Sequence, residues 1–497
     1  MNQFLNKMPF SIHALHSSEH SYVQKGICLS ILAISLMMGE SIFALGHAQT
    51  LGQRPGQTTL QSATGTGVQG VCPQLGALGV ARTTLQEDLF VSCRALVQTG
   101  NALNGVTGPG AANSLGLSNE ELNAAIQQMA SEELLAPRTQ ATKTFNGQQR
   151  NLSGRLAALR GGSTGLSIAS LNLNGVNPLA DLNPQALRIS GLPQRGGGAS
   201  GDVGSGGLSR LGAFVSGSIG TGEKDESSKE DGFDFDTTGI TVGVDYRFLD
   251  ELVLGTAFSY SHFDSDFRES SVNAGGGNDS DGYVFSIYGT YYLENFYVEG
   301  IGSAGWSDHD SRRSIVVPSM TAVTPINREA IGETDSTQYS FSVGTGYNVQ
   351  VGSVDFGPFA RLTYLKLDID GFKESGAAGL NLEVEDQDIT SLISAVGLQA
   401  SKKFSWEWGV WFPQIRGEWD HEFENDAKTT TTKYVNDPFN TPLFIRSENP
   451  DRNFYRVGAT LANVSAGGTQ VFFDYETFLG LRDISNHIFT IGTRLEF

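Results

Sequence analysis

The sequence predicts an all-β fold: a 12-stranded antiparallel transmembrane β-barrel, preceded by a small, mostly helical or disordered N-terminal region. Three observations predict it. The stretch NHIFTIGTRLEF from Asn486 puts Phe489, Ile491, Thr493, Leu495 and Phe497 on one face and Thr490, Gly492, Arg494 and Glu496 on the other. A period of two makes it a β-strand with one apolar face. Similar runs recur from Ser209 onward, with inward faces that are small and polar. The connections between them alternate between short and long, as in barrels with tight turns on one side of a membrane and long loops on the other.

Twelve runs span about 209–220, 235–249, 251–264, 281–293, 295–307, 336–351, 353–369, 387–403, 408–422, 453–465, 469–480 and 486–497. Leu249-Asp250-Glu251, Leu293-Glu294-Asn295, Val351-Gly352-Ser353 and Ala466-Gly467-Gly468 read as tight turns. Long loops fall at about 221–234, 265–280, 308–335, 370–386 and 423–452. In 353–369, Arg361, Lys366 and Asp368 interrupt the alternation, which predicts a bulge or an upper end above the membrane. Trp406, Trp408 and Trp411 beside a short turn suit the interfacial girdle. The inward charges Asp245, Arg247, Glu299, Arg416, Glu418, Arg494 and Glu496 are expected to pair across the lumen.

Composition agrees. At 497 residues the chain has room for two or three domains. After the first fifty residues no apolar run approaches the ~20 of a membrane helix. The 61 Gly and 29 Phe suit short alternating strands, and a net charge of -20 argues against nucleic acid as a partner.

The domains divide as 1–48, 49–162, 163–207 and 208–497. Residues 1–48 read as an export signal: a basic leader to Lys25, an apolar core Ile27 to Met38, then small residues. Cleavage is placed after Ala48, with Gly46 as the alternative. An uncleaved anchor is the competing reading, weakened by Glu40. Beyond Cys28 in the signal, Cys72 and Cys93 remain, and an even pair in an exported chain reads as a disulfide.

Residues 49–70 are Gly-, Gln- and Thr-rich and read as disordered. Their formal GxGxxG, Gly65 to Gly70, follows no strand and so fails as a dinucleotide loop. Residues 81–99 predict a helix with Leu85, Leu89, Cys93 and Leu96 on one face. Ser118 with Glu121 forms a capping box ahead of Leu122, Ile126 and Met129. A second helical stretch follows Pro137, carries Leu152, Leu156 and Leu159, and stops at Gly161-Gly162. Residues 163–207 form a Gly-rich linker with one possible strand at Leu166 to Leu173.

No catalytic, cofactor or metal site is assigned. His262, His309, His421 and His487 lack ligand spacing. The acidic runs Glu223 to Asp231 and Glu383 to Asp388 match no EF-hand and read as solvated loops.

Several segments carry a family likeness: RLGAFVSGSIG from Arg210, GFDFDTTGITVGVDYRF from Gly232, DGYVFSIYGTYY from Asp281, DFGPFARLTYLKLDIDGFKESG from Asp355, VNDPFN from Val435 and the terminal TIGTRLEF. Residues from about Ser209 to Phe497 resemble the autotransporter β-domain of Gram-negative type V secretion proteins. The Cys-containing helix and LAALRGG at Leu156 extend the likeness to about Val71. The resemblance implies a twelve-stranded barrel that helps move its own N-terminal passenger across the outer membrane, with a helix threading the lumen afterwards. Most such passengers are long β-helices. This region of about 160 residues shows no such repeat. The better helix, 138–160, lies about fifty residues before the first strand, too early for the expected lumen plug.

The expected location is the Gram-negative cell outer membrane, with the N-terminal region either surface-exposed or periplasmic. The expected partners are outer-membrane lipid, the Sec export machinery, the barrel assembly machinery and the chain's own N-terminal region. Phe489, Ile491, Leu495 and Phe497 are read as the barrel-assembly signal. A stand-alone structural or pore barrel, its N-terminal region a plug or periplasmic domain, is the alternative. A barrel-embedded hydrolase using His262 or His421 is a third.

Overall fold

The computed structural model describes residues 50–130, 149, 151–156, 159, 210–227, 229–269, 274–406, 408–465 and 469–496. The signal, the linker and the possible strand at Leu166 to Leu173 lie outside them. Ala48–Phe497 form one compact unit.

Twelve long strands build the barrel: β1 Leu211–Lys224, β2 Phe233–Arg247, β3 Leu252–Phe267, β4 Gly276–Leu293, β5 Phe296–Val317, β6 Ile326–Tyr347, β7 Val354–Ile369, β8 Gln387–Lys402, β9 Gly409–Glu422, β10 Asn453–Val464, β11 Gln470–Leu479 and β12 Ile484–Glu496. Each pairs antiparallel with the next, and β12 returns to β1 from Gly212↔Glu496 to Lys224↔Ile484. The sheet is closed, so no backbone edge is left for lipid to meet.

The period-two pattern divides the wall as expected. Ile240, Phe258, Phe285, Phe341, Leu398 and Ile491 are exposed on the outside, whereas Ser259, Ser261, Ser286 and Ser342 are buried inside. Glycine and aromatic residues also meet in register. Phe214 lies opposite Gly243, Tyr288 opposite Gly255, Tyr297 opposite Gly346, Phe359 opposite Gly397 and Phe472 opposite Gly492. Each inward ring lies over its glycine, where a Cβ would meet it at 2.3–2.6 Å. The abundance of Gly and Phe therefore has a steric cause: aromatic side chains lie flat along a narrow lumen only where the neighbour has none.

Strand β7 has no bulge. Its register runs unbroken against both β6 and β8. Arg361 lines the lumen, while Lys366 and Asp368 pair at 2.9 Å near the upper end of the strand. Two loop expectations need correction. Most of 308–335 is strand, because β5 runs to Val317 and β6 starts at Ile326. Loops 370–386 and 423–452 contribute a second sheet, ordered Leu443–Arg446, Thr429–Tyr434, Leu382–Val384, Phe372–Lys373.

Among the described residues, three helices precede the lumen segment and the barrel: α1 Thr59–Ala77, α2 Thr84–Leu103 and α3 Asn119–Gln127. Each opens with a capping box, Thr58 with Gln61, Thr83 with Gln86 and Ser118 with Glu121. A disulfide joins Cys72 on α1 to Cys93 on α2. The disorder expected for 49–70 is thus wrong for most of its length. Gly costs a helix about 1 kcal/mol relative to Ala, but here glycine permits contact. A Cβ on Gly65 would sit 2.5 Å from the Leu51 carbonyl oxygen, and one on Gly67 would sit 2.1 Å from Leu443 Cδ2. On α2, Leu89, Cys93 and Leu96 are buried, but Leu85 faces out at 44% exposure.

Candidate functional site: the lumen and its outer cap

Residues 151–156 are helical and lie inside the barrel. Leu152, Leu156 and Leu159 bury against Val253, Ala257, Tyr288 and Ile301 of β3, β4 and β5. The polar side is bonded as well. Asn151 Nδ2 donates to Thr241 Oγ1 at 2.9 Å. Arg155 donates from Nε and Nη2 to the two oxygens of Asp245, both at 2.5 Å, and the side chains are 2% and 4% exposed. Tyr288 Oη donates to Asp245 Oδ2 at 3.0 Å, and the guanidinium stands 5.3 Å above the Phe214 ring.

These contacts fix a direction. From Thr241 to Asp245, β2 runs toward the short turn before Leu252. From Asn151 to Arg155, the helix runs the same way. The chain therefore descends from the long-loop end to the short-turn end, where β1 begins. The helix expected to lie too early for the plug is the one in the lumen.

The facing wall carries its own ion pairs. Arg416 binds Asp474 at 2.6 Å and Glu476 at 2.7 Å, Arg456 binds Glu418 at 2.7 Å and Asp420 at 2.5 Å, and Arg361 binds Glu418 at 3.0 Å. These charges pair along the wall, not across the lumen. Of the expected set, Asp245 meets the threading helix, Arg247 donates to the Asp250 carbonyl, and Arg494 donates to Gln470 Oε1. Glu299 lines a cavity of ≈160 Å³ left between helix and wall. The Glu496 side chain lies outside the described residues.

The helices sit at the long-loop end. Val71, Leu75, Leu89 and Leu96 share one core with Ile315, Val317, Ile326, Leu380, Leu382, Tyr434 and Leu443. Polar links surround it. Arg328 grips both oxygens of Asp88 at 2.5 and 2.6 Å, and Asp88 Oδ2 also accepts the Gly379 N–H at 2.9 Å. Burial pushes the Asp88 pKa up. The hydrogen bonds from Arg328 and Gly379, with the Arg328 charge, outweigh it and hold the carboxyl below its ordinary value. Buried Arg313 pairs with Glu374 and donates to the Gln128 and Ala130 carbonyls at 3.3 and 3.5 Å, where α3 ends.

The run Glu223 to Asp231 is not simply a solvated loop. Lys224 and Glu230 pair at 3.0 Å with little exposure, and Asp231 Oδ1 accepts from Gln127 at 2.5 Å, so the run seats the cap. His262 meets Asp281 at 3.0 Å and His421 meets Asn453 at 2.9 Å, and among the described residues neither is bonded to a serine. Among the described residues, no three His, Cys, Asp or Glu side chains group to hold a metal. Sequence reasoning missed Arg155, Arg313, Arg328 and Asp88. The signal was present for Arg313, which sits in a run alternating Arg313, Ile315 and Val317 against Arg312, Ser314 and Val316.

The family model of the autotransporter β-domain matches residues 213–476. The chain belongs to the autotransporter family. Outer membrane protein A of Rickettsia conorii is 29% identical over 220 residues, which cover 44% of this chain and 11% of that protein. Outer membrane protein B of Rickettsia rickettsii is 25% identical over 273 residues, 54% of this chain and 16% of that protein. The chain thus spans only a small part of the length of the curated relatives it matches. The solved translocator domain of autotransporter NalP from Neisseria meningitidis is similar at 16% identity and a TM-score of 0.45, covering 60% of this chain and 90% of that one. This autotransporter is a barrel of the cell outer membrane, and barrels of that membrane generally set long loops outside and short turns in the periplasm.

Proposed function

We propose that this autotransporter barrel anchors its own N-terminal region, helps carry it across the outer membrane and then holds it as a cap over its outer mouth. One observation carries the reading: α1 to α3 share a core with the long-loop end, while residues 151–156 descend through the lumen toward the start of β1. A chain whose N-terminal part has crossed and whose C-terminal part is the barrel must run in that direction.

Residues 1–48 serve as the Sec signal, 49–162 as the exported region, 163–207 as the linker and 208–497 as the barrel. Phe489, Ile491, Leu495 and Phe497 form the apolar face offered to the barrel assembly machinery. No catalytic role is assigned to the barrel.

Protease added to intact cells tests the export. Cleavage between Gln49 and Gly207 is expected. Full protection, with cleavage only after the outer membrane is opened, would overturn the proposal. The cavity beside the helix favours a second reading, a pore barrel with this region as its plug. A conductance that rises sharply only after deletion of 49–207, in a protein that never exposes that region to protease, would favour it.

A further inference from the structure

Residues 134–180 contain no Asp or Glu, yet they carry Arg138, Lys143, Arg150, Arg155 and Arg160, in a chain of net charge -20. The part of this basic stretch that the structure describes lies in the lumen. There it meets a wall whose Asp474, Glu476, Glu418 and Asp420 are bound by wall arginines. Asp245 differs. Among the described residues its one cationic partner is Arg155, and Arg155 has no other carboxylate. A buried carboxylate without a counter-ion is strongly disfavoured, so an arginine beside Asp245 is a preferred stopping point for a chain sliding through the barrel.

Three arginines spaced by five could take that place. Their neighbours separate them. With Arg155 at Asp245, the three wall contacts are filled by Leu152, Leu156 and Leu159. Sliding to Arg160 would put Ala157, Gly161 and Thr164 there. Sliding to Arg150 would put Gly147, Asn151 and Gly154 there. Either shift loses the apolar contact on Val253, Ala257 and Ile301. Facing Thr241, where Asn151 now donates, the Arg160 register would put Leu156, while the Arg150 register would keep an asparagine, Asn146, so that register is excluded by the lost leucine contacts alone.

We infer that the Arg155–Asp245 pair is the register lock of export: it arrests the threaded chain with the helical cap outside and residues 151–156 in the lumen. The inference rests on the export reading above. Arg155 and Asp245 are positioning residues; they set where the chain stops.

The test uses the full chain in cells, with Asn151→Cys and Thr241→Cys introduced as a reporter of register. Oxidative cross-linking of that pair is expected to be efficient in the parent. Arg155→Gln or Asp245→Asn should lower the yield at least about tenfold. The exchange Arg155→Asp with Asp245→Arg should restore it to within about threefold. Should Asp245→Asn fail to form a barrel, as judged by gel migration with and without heating, Arg155→Gln carries the test, because it lies outside the wall. An unchanged yield in Arg155→Gln, with the cap cleaved by external protease, overturns the lock alone. A cap protected from external protease in the parent overturns the export reading on which the lock rests.

Discussion

The Arg313 guanidinium lies edge-on to the Glu374 carboxylate, Nε to Oε1 at 3.0 Å and Nη2 to Oε2 at 2.6 Å, with both side chains almost wholly buried. Arg313 also donates to Leu380 O, Gln128 O and Ala130 O, and Glu374 Oε2 accepts the Leu382 N–H. One ion pair thus ties a barrel strand, an outer loop and the end of α3. Arg313→Met would strand a buried carboxylate, at a cost of about 3–5 kcal/mol. The cap should loosen while the barrel stays closed. External protease should then cleave between 50 and 130 much faster than in the parent, with unchanged heat-modifiable migration of the barrel.

Gly379 gives a second handle on the cap, one that keeps every charged side chain but crowds the Asp88 carboxylate at 2.8 Å. It packs against α2 so closely that a Cβ would stand 2.5 Å from Leu89 N and 2.6 Å from Leu85 O. Both are helix backbone atoms, which cannot rotate aside. Gly379→Ala should cost about 1–3 kcal/mol by overpacking and raise protease access to α1 and α2. Gly105→Ala is a poor control, because its φ of 81° would itself be strained. Gly154→Ala, with open space at its Cβ, should leave cap cleavage unchanged.

Asp88 sets the acid limit of capping. Its folded pKa lies below the ordinary carboxylate value, so the unfolded or undocked state takes up protons first. The stability it supplies is fully present above the unfolded value, about 3.9, and is lost as pH falls through the lower folded value. Cap docking should be flat near neutral pH and weaken below about pH 4. Asp88→Asn should dock more weakly at neutral pH and lose part of that acid dependence. Cleavage by an acid-tolerant protease across pH 3 to 7 would measure it; an identical acid limb in both proteins would remove Asp88 from the account.

How much of this was legible follows from what each element packs against. Strands that divide lipid from lumen alternate over ten or more residues, so Ile240, Val242 and Val244 or Phe489 and Ile491 mark them plainly. Capping boxes are local, and Ser118 with Glu121 was readable. The cap was not. Beside Ile315, Val317 and Ile326 on the long strands, its partners include Leu382, Leu443 and Ile445, on strands of three and four residues too short to show a period. The first helix was hidden because Gly65 and Gly67 are penalised by propensity but favoured by contact. The lumen helix was readable as a helix and misplaced by sequence distance. The roughly fifty residues between Leu159 and Arg210 can reach far more than a barrel height when extended, at about 3.3 Å each. Separation along the chain therefore says little about depth in the lumen.

Gly492 on the closing strand joins sequence reading and structure most directly. It stands opposite Phe472 on β11 and Ser216 on β1, and a Cβ there would meet the Phe472 ring at 2.3 Å and the Val215 carbonyl oxygen at 3.1 Å. The strand must close the sheet on both sides at this point. Gly492→Val should force the ring aside and cost about 1–3 kcal/mol. It leaves the outward-face side chains Phe489 and Ile491 unchanged. If that face is what the assembly machinery reads, the variant should still reach the outer membrane but form the heat-resistant closed barrel slowly. Ile491→Asp should do the reverse, because it keeps Gly492 and spoils the apolar face. Pulse-chase labelling, with barrel closure followed by gel migration, separates the two. Equal kinetics for both variants would mean that the closing strand acts through pairing alone.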